Sequence, residues 1–208
     1  MANTTFKGTL RSEGGYSSIA TATGTGVETT QMSISTAGFA SFDANTLPTE
    51  AGTGITTGSG TIYRSSVQRN GGIITTRILI DLTGLRSTAG GDIIGVNGTT
   101  LVCHIGQITA ATNGTILTGS MECFEAPTGG DPDINVHSAT EGTGVEDGAI
   151  ADLTETLLVN AGDATLGSKV YFTNVPAADQ FLYLTCGTTT DGDFTAGKLL
   201  IELMGYAA

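Results

Sequence analysis

The chain has 208 residues, a formal net charge of −12, 13% charged and 39% hydrophobic residues, and 31 glycines. That charge argues against nucleic-acid binding, which depends on a clustered basic surface, disfavours anionic membranes, and reads as solubility. The length suits one domain, or a domain with an arm, and is enough to bury a core.

Thr occurs 37 times, and Thr with Gly makes up about a third of the chain. Thr favours strands and Gly favours turns. Cys103, Cys123 and Cys186 are an odd number without close spacing, which argues for reduced buried thiols over a disulfide scaffold. The opening "MANTTFKGTL" has no apolar core of a signal peptide, and no run reaches the ~20 apolar residues of a membrane helix. The expectation is synthesis and folding in a cytoplasm. Asn3, Asn97 and Asn113 then serve turns or tails rather than glycans.

Residues 1–37 read as an N-terminal arm. "TATGTGVETTQMSIST" is rich in Thr, Gly and Ser, and either pairs as a strand on a neighbour or moves freely. Residues 38–208 read as a single antiparallel β-sandwich, jelly-roll-like, because the hydrophobic period is 2. Asn-Gly at 70–71, 97–98 and 113–114 marks candidate hairpins, since it tolerates the positive φ of a type I′ turn. With Asn70-Gly71 as a two-residue loop, Val67 faces Ile74, Tyr63 faces Ile78 and Ile62 faces Leu79. Further strands are predicted at 92–96, 99–109, 115–124, 156–160, 168–174, 180–186 and 197–205. Residues 127–155, with seven acids and no Lys or Arg, read as an acidic excursion from the sandwich. Its end, "AIADLTETLLV", is the one candidate for a short helix.

Candidate sites are weak. Asp131-Pro-Asp133-Ile-Asn135 has the alternate oxygen donors that open a Ca²⁺ loop, but Val136 stands where the turn needs Gly, and Gly142 where it needs Glu. Asp191-Gly-Asp193 reads as a hairpin tip. Cys103, His104, Cys123 and His137 suggest zinc, with an Asn113-Gly114 hairpin bringing His104 near Cys123. Adjacent strand residues point to opposite faces, so Cys103 and His104 cannot both join one site. "GDATLGSK" (162–169) has Gly-Ser-Lys where a phosphate loop needs Gly-Lys-Ser or Gly-Lys-Thr, and "GTGITTG" (52–58) lacks a dinucleotide context. There is no Gly-x-Ser-x-Gly elbow and no Trp for stacking sugars. No catalytic residue, metal or cofactor is assigned, and the chain is not read as an enzyme.

The anomaly is arginine. Arg64, Arg69, Arg77 and Arg86, half of the eight basic residues, cluster in or beside the most apolar stretch. The Asn70-Gly71 register sets Arg64 across from Arg77, and facing like charges destabilise a sheet. They share a face with Ile62, Leu79 and Ile73, opposite a face of Tyr63, Val67, Ile74, Ile78, Ile80 and Leu82. Either Asp81 or another acid of the same chain neutralises the pair, or Arg64, Arg77, Ile62, Leu79 and Ile73 form a subunit or capsid interface, where the arginine fork suits carboxylates.

Two segments, "NGGIITTRILIDLTGLRSTAGGDIIG" (70–95) and "FLYLTCGTTTDGDFTAGKLLIELMGY" (181–206), about a quarter of the chain, resemble virion structural proteins of tailed bacteriophages, marine ones especially. The resemblance implies a head decoration (cement) protein on the capsid exterior, with the major capsid protein as partner and a homo-oligomer, a trimer as first expectation, as its working form. It carries no catalytic residue. The alternatives are a tail, collar or fibre component, or an extracellular binding or adhesion module.

Overall fold

The structure is a computed structural model that describes residues 46–98 and 100–206 and, before them, the backbone of three strands. It divides into two compact units, Met1–Ala44 and Asn45–Ala208. In the first, β1 (Tyr16–Thr21), β2 (Glu28–Ile34) and β3 (Ala40–Phe42) pair antiparallel in that order. The rest of the segment read as an arm lies outside the described residues.

The second unit is all-β and sandwich-like. In chain order it contains α1 (Thr53–Thr56), β4 (Ile62–Asn70), β5 (Ile73–Asp81), β6 (Arg86–Ser87), α2 (Ala110–Asn113), β7 (Thr115–Thr128) and β8 (Ile134–Ala139). Then follow β9 (Glu155–Val159), β10 (Lys169–Tyr171), β11 (Phe181–Cys186), β12 (Gly192–Asp193) and β13 (Ala196–Tyr206). One sheet runs β10-β7-β13-β5-β4, all antiparallel. β12 pairs separately with β6, and the second large sheet runs β11-β8-β9. Its free β11 edge is continued by the 92–108 segment, through Ile94 N–H to Leu184 O (2.9 Å), Ile105 N–H to Leu182 O (2.7 Å) and Ile108 N–H to Gln180 O (2.9 Å).

Alternation in the sequence becomes alternation in burial. In β5, Ile74, Ile78 and Ile80 are inaccessible, while Ile73 and Arg77 are exposed. In β13, Leu199, Ile201 and Leu203 point inward. Val136, Leu182 and Leu184 complete the core from the second sheet. Each such side chain contributes about 1.5–3 kcal/mol by leaving water.

The second sheet is buried on both faces along β8 and β11, so every residue of β8 is buried, while Glu155 and Thr156 of β9 are exposed. Its far face is covered by residues 140–154. The Tyr183 hydroxyl donates to Glu141 O (2.7 Å) and accepts from Gly144 N (3.2 Å). Gly142 lies against the Phe181 ring so closely that a Cβ would stand 2.8 Å from it. The acidic stretch 127–155 is thus not loop throughout: it supplies a central strand. The candidate helix in "AIADLTETLLV" is one 3₁₀ turn, Ile150–Asp152, before β9.

Two turn assignments are corrected. The β4–β5 loop is Gly71-Gly72, with Asn70 paired to Ile73. Positive φ falls on Gly71 (63°), the first central residue, as a II′ turn requires. The register therefore slips by two: Arg64 faces Leu79 and Arg77 faces Ser66, so the two arginines do not stack. An even slip leaves every side chain on its expected face. Asn113-Gly114 is not a hairpin turn either. It ends α2, whose Thr109 side chain accepts from Thr112 N.

Candidate interaction surface

Within the second unit, residues 46–206 leave the outer face of the five-stranded sheet uncovered. The register sets it out in rows across the strands. Ile62, Asp81, Lys198 and Glu125 form one row; Arg64, Leu79, Leu200, Glu122 and Lys169 the next; Ser66, Arg77, Glu202, Ser120 and Tyr171 the third. Ile73 and Tyr206 close the far end. All five residues of the sequence-derived patch, Arg64, Arg77, Ile62, Leu79 and Ile73, lie here. Ile62 (47%) and Ile73 (42%) are exposed; Leu79 is half-buried.

The charges on this face are largely settled within the chain. Arg77 Nε donates to Glu202 Oε2 at 2.7 Å. Lys169 reaches Glu122 at 3.3 Å. Lys198 lies between Glu125 and Asp81, 3.3 Å from the latter. Glu125, and then Asp81, raise the Lys198 ammonium. Burial works against ionisation of Asp81, but the Thr83 hydroxyl and amide, with Lys198, outweigh it and hold its carboxyl below the usual range. Neutralisation thus comes from Glu202 for Arg77, while Asp81 serves Lys198. Arg64 alone has no carboxylate partner on this face among the described residues; its Nη1 donates to Tyr63 O at 2.8 Å. In a two-residue hairpin alternate residues face β5, so Tyr63 O points off the open edge, and Arg64 blunts that edge.

Of the ten exposed large hydrophobic residues among those described, seven belong to this face: Ile62, Ile73, Leu117, Phe124, Tyr171, Met204 and Tyr206. Phe124 shares a depression with Leu166, Ala196 and Lys198. Sequence reasoning found Ile62 and Ile73 but not the others. Lys198, Leu200, Glu202, Met204 and Tyr206 are legible as one face of a period-2 strand, but nothing local says that this strand lies beside β5.

The other candidates disperse. Cys123 is on β7, its Sγ donating to Glu125 O (3.2 Å). His104 belongs to the other sheet, its ring 4.9 Å from Phe181 and 6.4 Å from Tyr183. His137 Nδ1 lies 2.8 Å from Glu155 Oε2. Burial pushes the Cys103 thiol to about 12 and lowers His104. Among the described residues no three His, Cys, Asp or Glu side chains are grouped to hold a metal ion. Lys169 of the phosphate-loop candidate opens β10, a strand. Asp191 and Asp193 clamp Arg86 at 2.8 and 3.1 Å.

Asp131 is fully buried and accepts from Asp133 N, Thr188 N and Thr188 Oγ1. Asp133 Oδ1 is buried without a partner. Burial, Asp131 and Asp163 all raise the Asp133 carboxyl. A raised folded value means that the fold holds this proton more tightly than the unfolded chain. The strain is present above the folded pKa and is relieved as pH falls through it, down to the unfolded value near 3.8. Glu146, raised chiefly by burial, has the same sign. Asp81 and Glu141, both lowered, stabilise above their unfolded values and lose that effect only at lower pH. Burial-lowered His104 has the opposite sign: its unfolded value of 6.5 lies above the folded one, so its contribution falls as pH drops through that value, and the Asp133 effect is read as a difference between two proteins. Asp133→Asn should be more stable than wild type at pH 7, with a gap that narrows on acidification; an identical thermal-unfolding profile across pH for the two proteins contradicts this.

These observations define an all-β sandwich with an open, charge-balanced sheet face. The chain matches no protein-family profile, no curated protein and no solved structure.

Proposed function

We propose that this chain is a virion structural protein, a decoration or cement protein on the exterior of a tailed-phage head that binds the major capsid protein and stabilises contacts between capsomers. The observation that carries the reading is the contrast between the two sheets. One far face is closed by the chain's own residues 140–154, while the other, with seven exposed large apolar side chains, is left open. Exposed apolar area of that extent on a soluble fold marks an interaction site. The strand order supports the jelly-roll reading. With 92–108 counted as a strand, β5, 92–108, β7, β8, β9, β10, β11 and β13 distribute between the sheets as two Greek keys require, with β4 added at an edge. Jelly rolls occur in capsid proteins and also elsewhere, so the sheet face and not the fold carries the function.

The mechanism is mechanical and not enzymatic. Many copies, acting as homo-oligomers, bury sheet surface across capsomer seams and raise the cost of opening the shell. Copy number in purified particles tests this. Hundreds of copies per particle are expected; a few copies indicate a tail or collar part, and absence removes the virion reading.

A further inference from the structure

We infer that the occupant of the open sheet face is a second copy of this chain, packed face to face across a two-fold axis. This rests on the reading of that face as the docking surface, but not on the virion assignment.

The first argument is charge. Residues 46–206 carry six basic and seventeen acidic side chains. Four basic (Arg64, Arg77, Lys169, Lys198) and four acidic (Asp81, Glu122, Glu125, Glu202) are on this face, which is therefore neutral. The remaining two basic and thirteen acidic residues lie elsewhere in the unit. Two copies of so acidic a body repel wherever acidic surfaces meet, and this neutral face is where they can approach without like-charge contact. A basic partner would gain more from the acidic surfaces. A trimer would need a heterologous contact joining this neutral face to a different, acidic one; a two-fold contact joins it to itself.

The second argument is area. Four strands of about nine residues and the three-residue β10, at ~4.8 Å spacing and ~3.4 Å rise, give a face on the order of 600 Å². A stable interface needs about 800 Å² from each partner, so the sheet is of the right order of size. Its composition also fits: aromatic, Met and Arg side chains, with Arg77, Lys169 and Lys198 already paired within each copy, so that Arg64 alone brings an unpaired charge to be desolvated.

The test is sedimentation of the full chain alone from ~1 to ~100 µM, for wild type, Arg64→Glu, Ile73→Lys, and Leu101→Lys as an exposed control away from the face. Circular dichroism reports whether each variant folds. The expected result is a dimer whose dissociation constant rises ~10-fold or more in both face variants and is unchanged in the control. A wild type that stays monomeric across the range overturns the inference without reference to any variant. So does an oligomer indifferent to both folded face variants, or a trimer that they disrupt. A monomer that binds purified particles through this face overturns the second copy as occupant and leaves the virion reading standing; a dimer absent from particles does the reverse.

Discussion

Asp131→Ala is expected to cost about 3–5 kcal/mol of folding stability, since three donors lose a buried charged acceptor and each such loss costs about 1–3 kcal/mol. The carboxylate is inaccessible, with Oδ1 3.0 Å from Asp133 N and 2.8 Å from Thr188 Oγ1, and Oδ2 2.8 Å from Thr188 N. Its own N–H donates to Ser87 Oγ, which is 2.8 Å from Thr190 O. The Asp131 side chain thus ties the β7–β8 connection to the segment after β11, while its backbone N–H, through Ser87, ties it to β6. Urea unfolding should show a lower midpoint at an unchanged slope. Thr188→Val, which removes one hydroxyl, should cost only about 1 kcal/mol. A loss below about 1 kcal/mol for Asp131→Ala would show that water replaces the carboxylate, and that the knot is not structural.

The same residues show why spacing misleads. Asp131, Asp133 and Asn135 alternate as ligands of a calcium loop would. In the fold, Asp131 caps backbone and hydroxyl donors, and Asn135 Oδ1 accepts from Ala161 N at 3.2 Å. The alternation arises from an Asx turn running into a strand. Short polar side chains bond nearby backbone for local reasons, with or without a cation.

Faces were more legible than partners. The inward set Tyr63, Val67, Ile74, Ile78, Ile80 and Leu82 is buried as the period-2 pattern demands, although the β4–β5 register was two residues off. Parity survives an even slip; pairwise contacts do not. The supposed Arg64–Arg77 conflict therefore vanished, while the face on which both stand remained. β8 was not legible because Ile134-Asn135-Val136-His137 alternates for only four residues before Ser138-Ala139 breaks the period, and the acids on either side mark the stretch as a loop. Glu202 was not legible as the partner of Arg77 because 125 residues separate them and only the long-range pairing of β13 with β5 joins them. Local chemistry writes the period of a strand; which strands become neighbours is decided by the collapse of the whole core.

The Asn-Gly pairs yield the second large effect. Gly71 and Gly114 both follow Asn and both have positive φ, 63° and 70°. Their surroundings differ. Nothing lies within 4 Å of a Cβ at Gly71, so Gly71→Ala should cost about 1 kcal/mol, the ordinary penalty of that backbone region. A Cβ at Gly114 would stand 2.2 Å from Tyr206 O and 3.0 Å from Ile74 Cδ1. Backbone cannot swing aside as a flexible side chain can. Gly114→Ala must therefore displace either the end of β13 or the turn α2. The adjacent Asn113 holds that turn in place: it is inaccessible, with Nδ2 donating to Thr76 Oγ1 at 2.8 Å and Oδ1 accepting from Thr109 N at 2.8 Å. With both sides fixed, the expected cost is about 3–5 kcal/mol, the range of overpacking added to strain at a special φ. Denaturant unfolding of the two alanine variants side by side decides it. Equal losses would mean that the β13 end yields at no cost and that Gly114 serves its φ alone; a gap of ~2 kcal/mol or more shows that one dipeptide signal marks an open turn at one site and a closed joint of the core at the other.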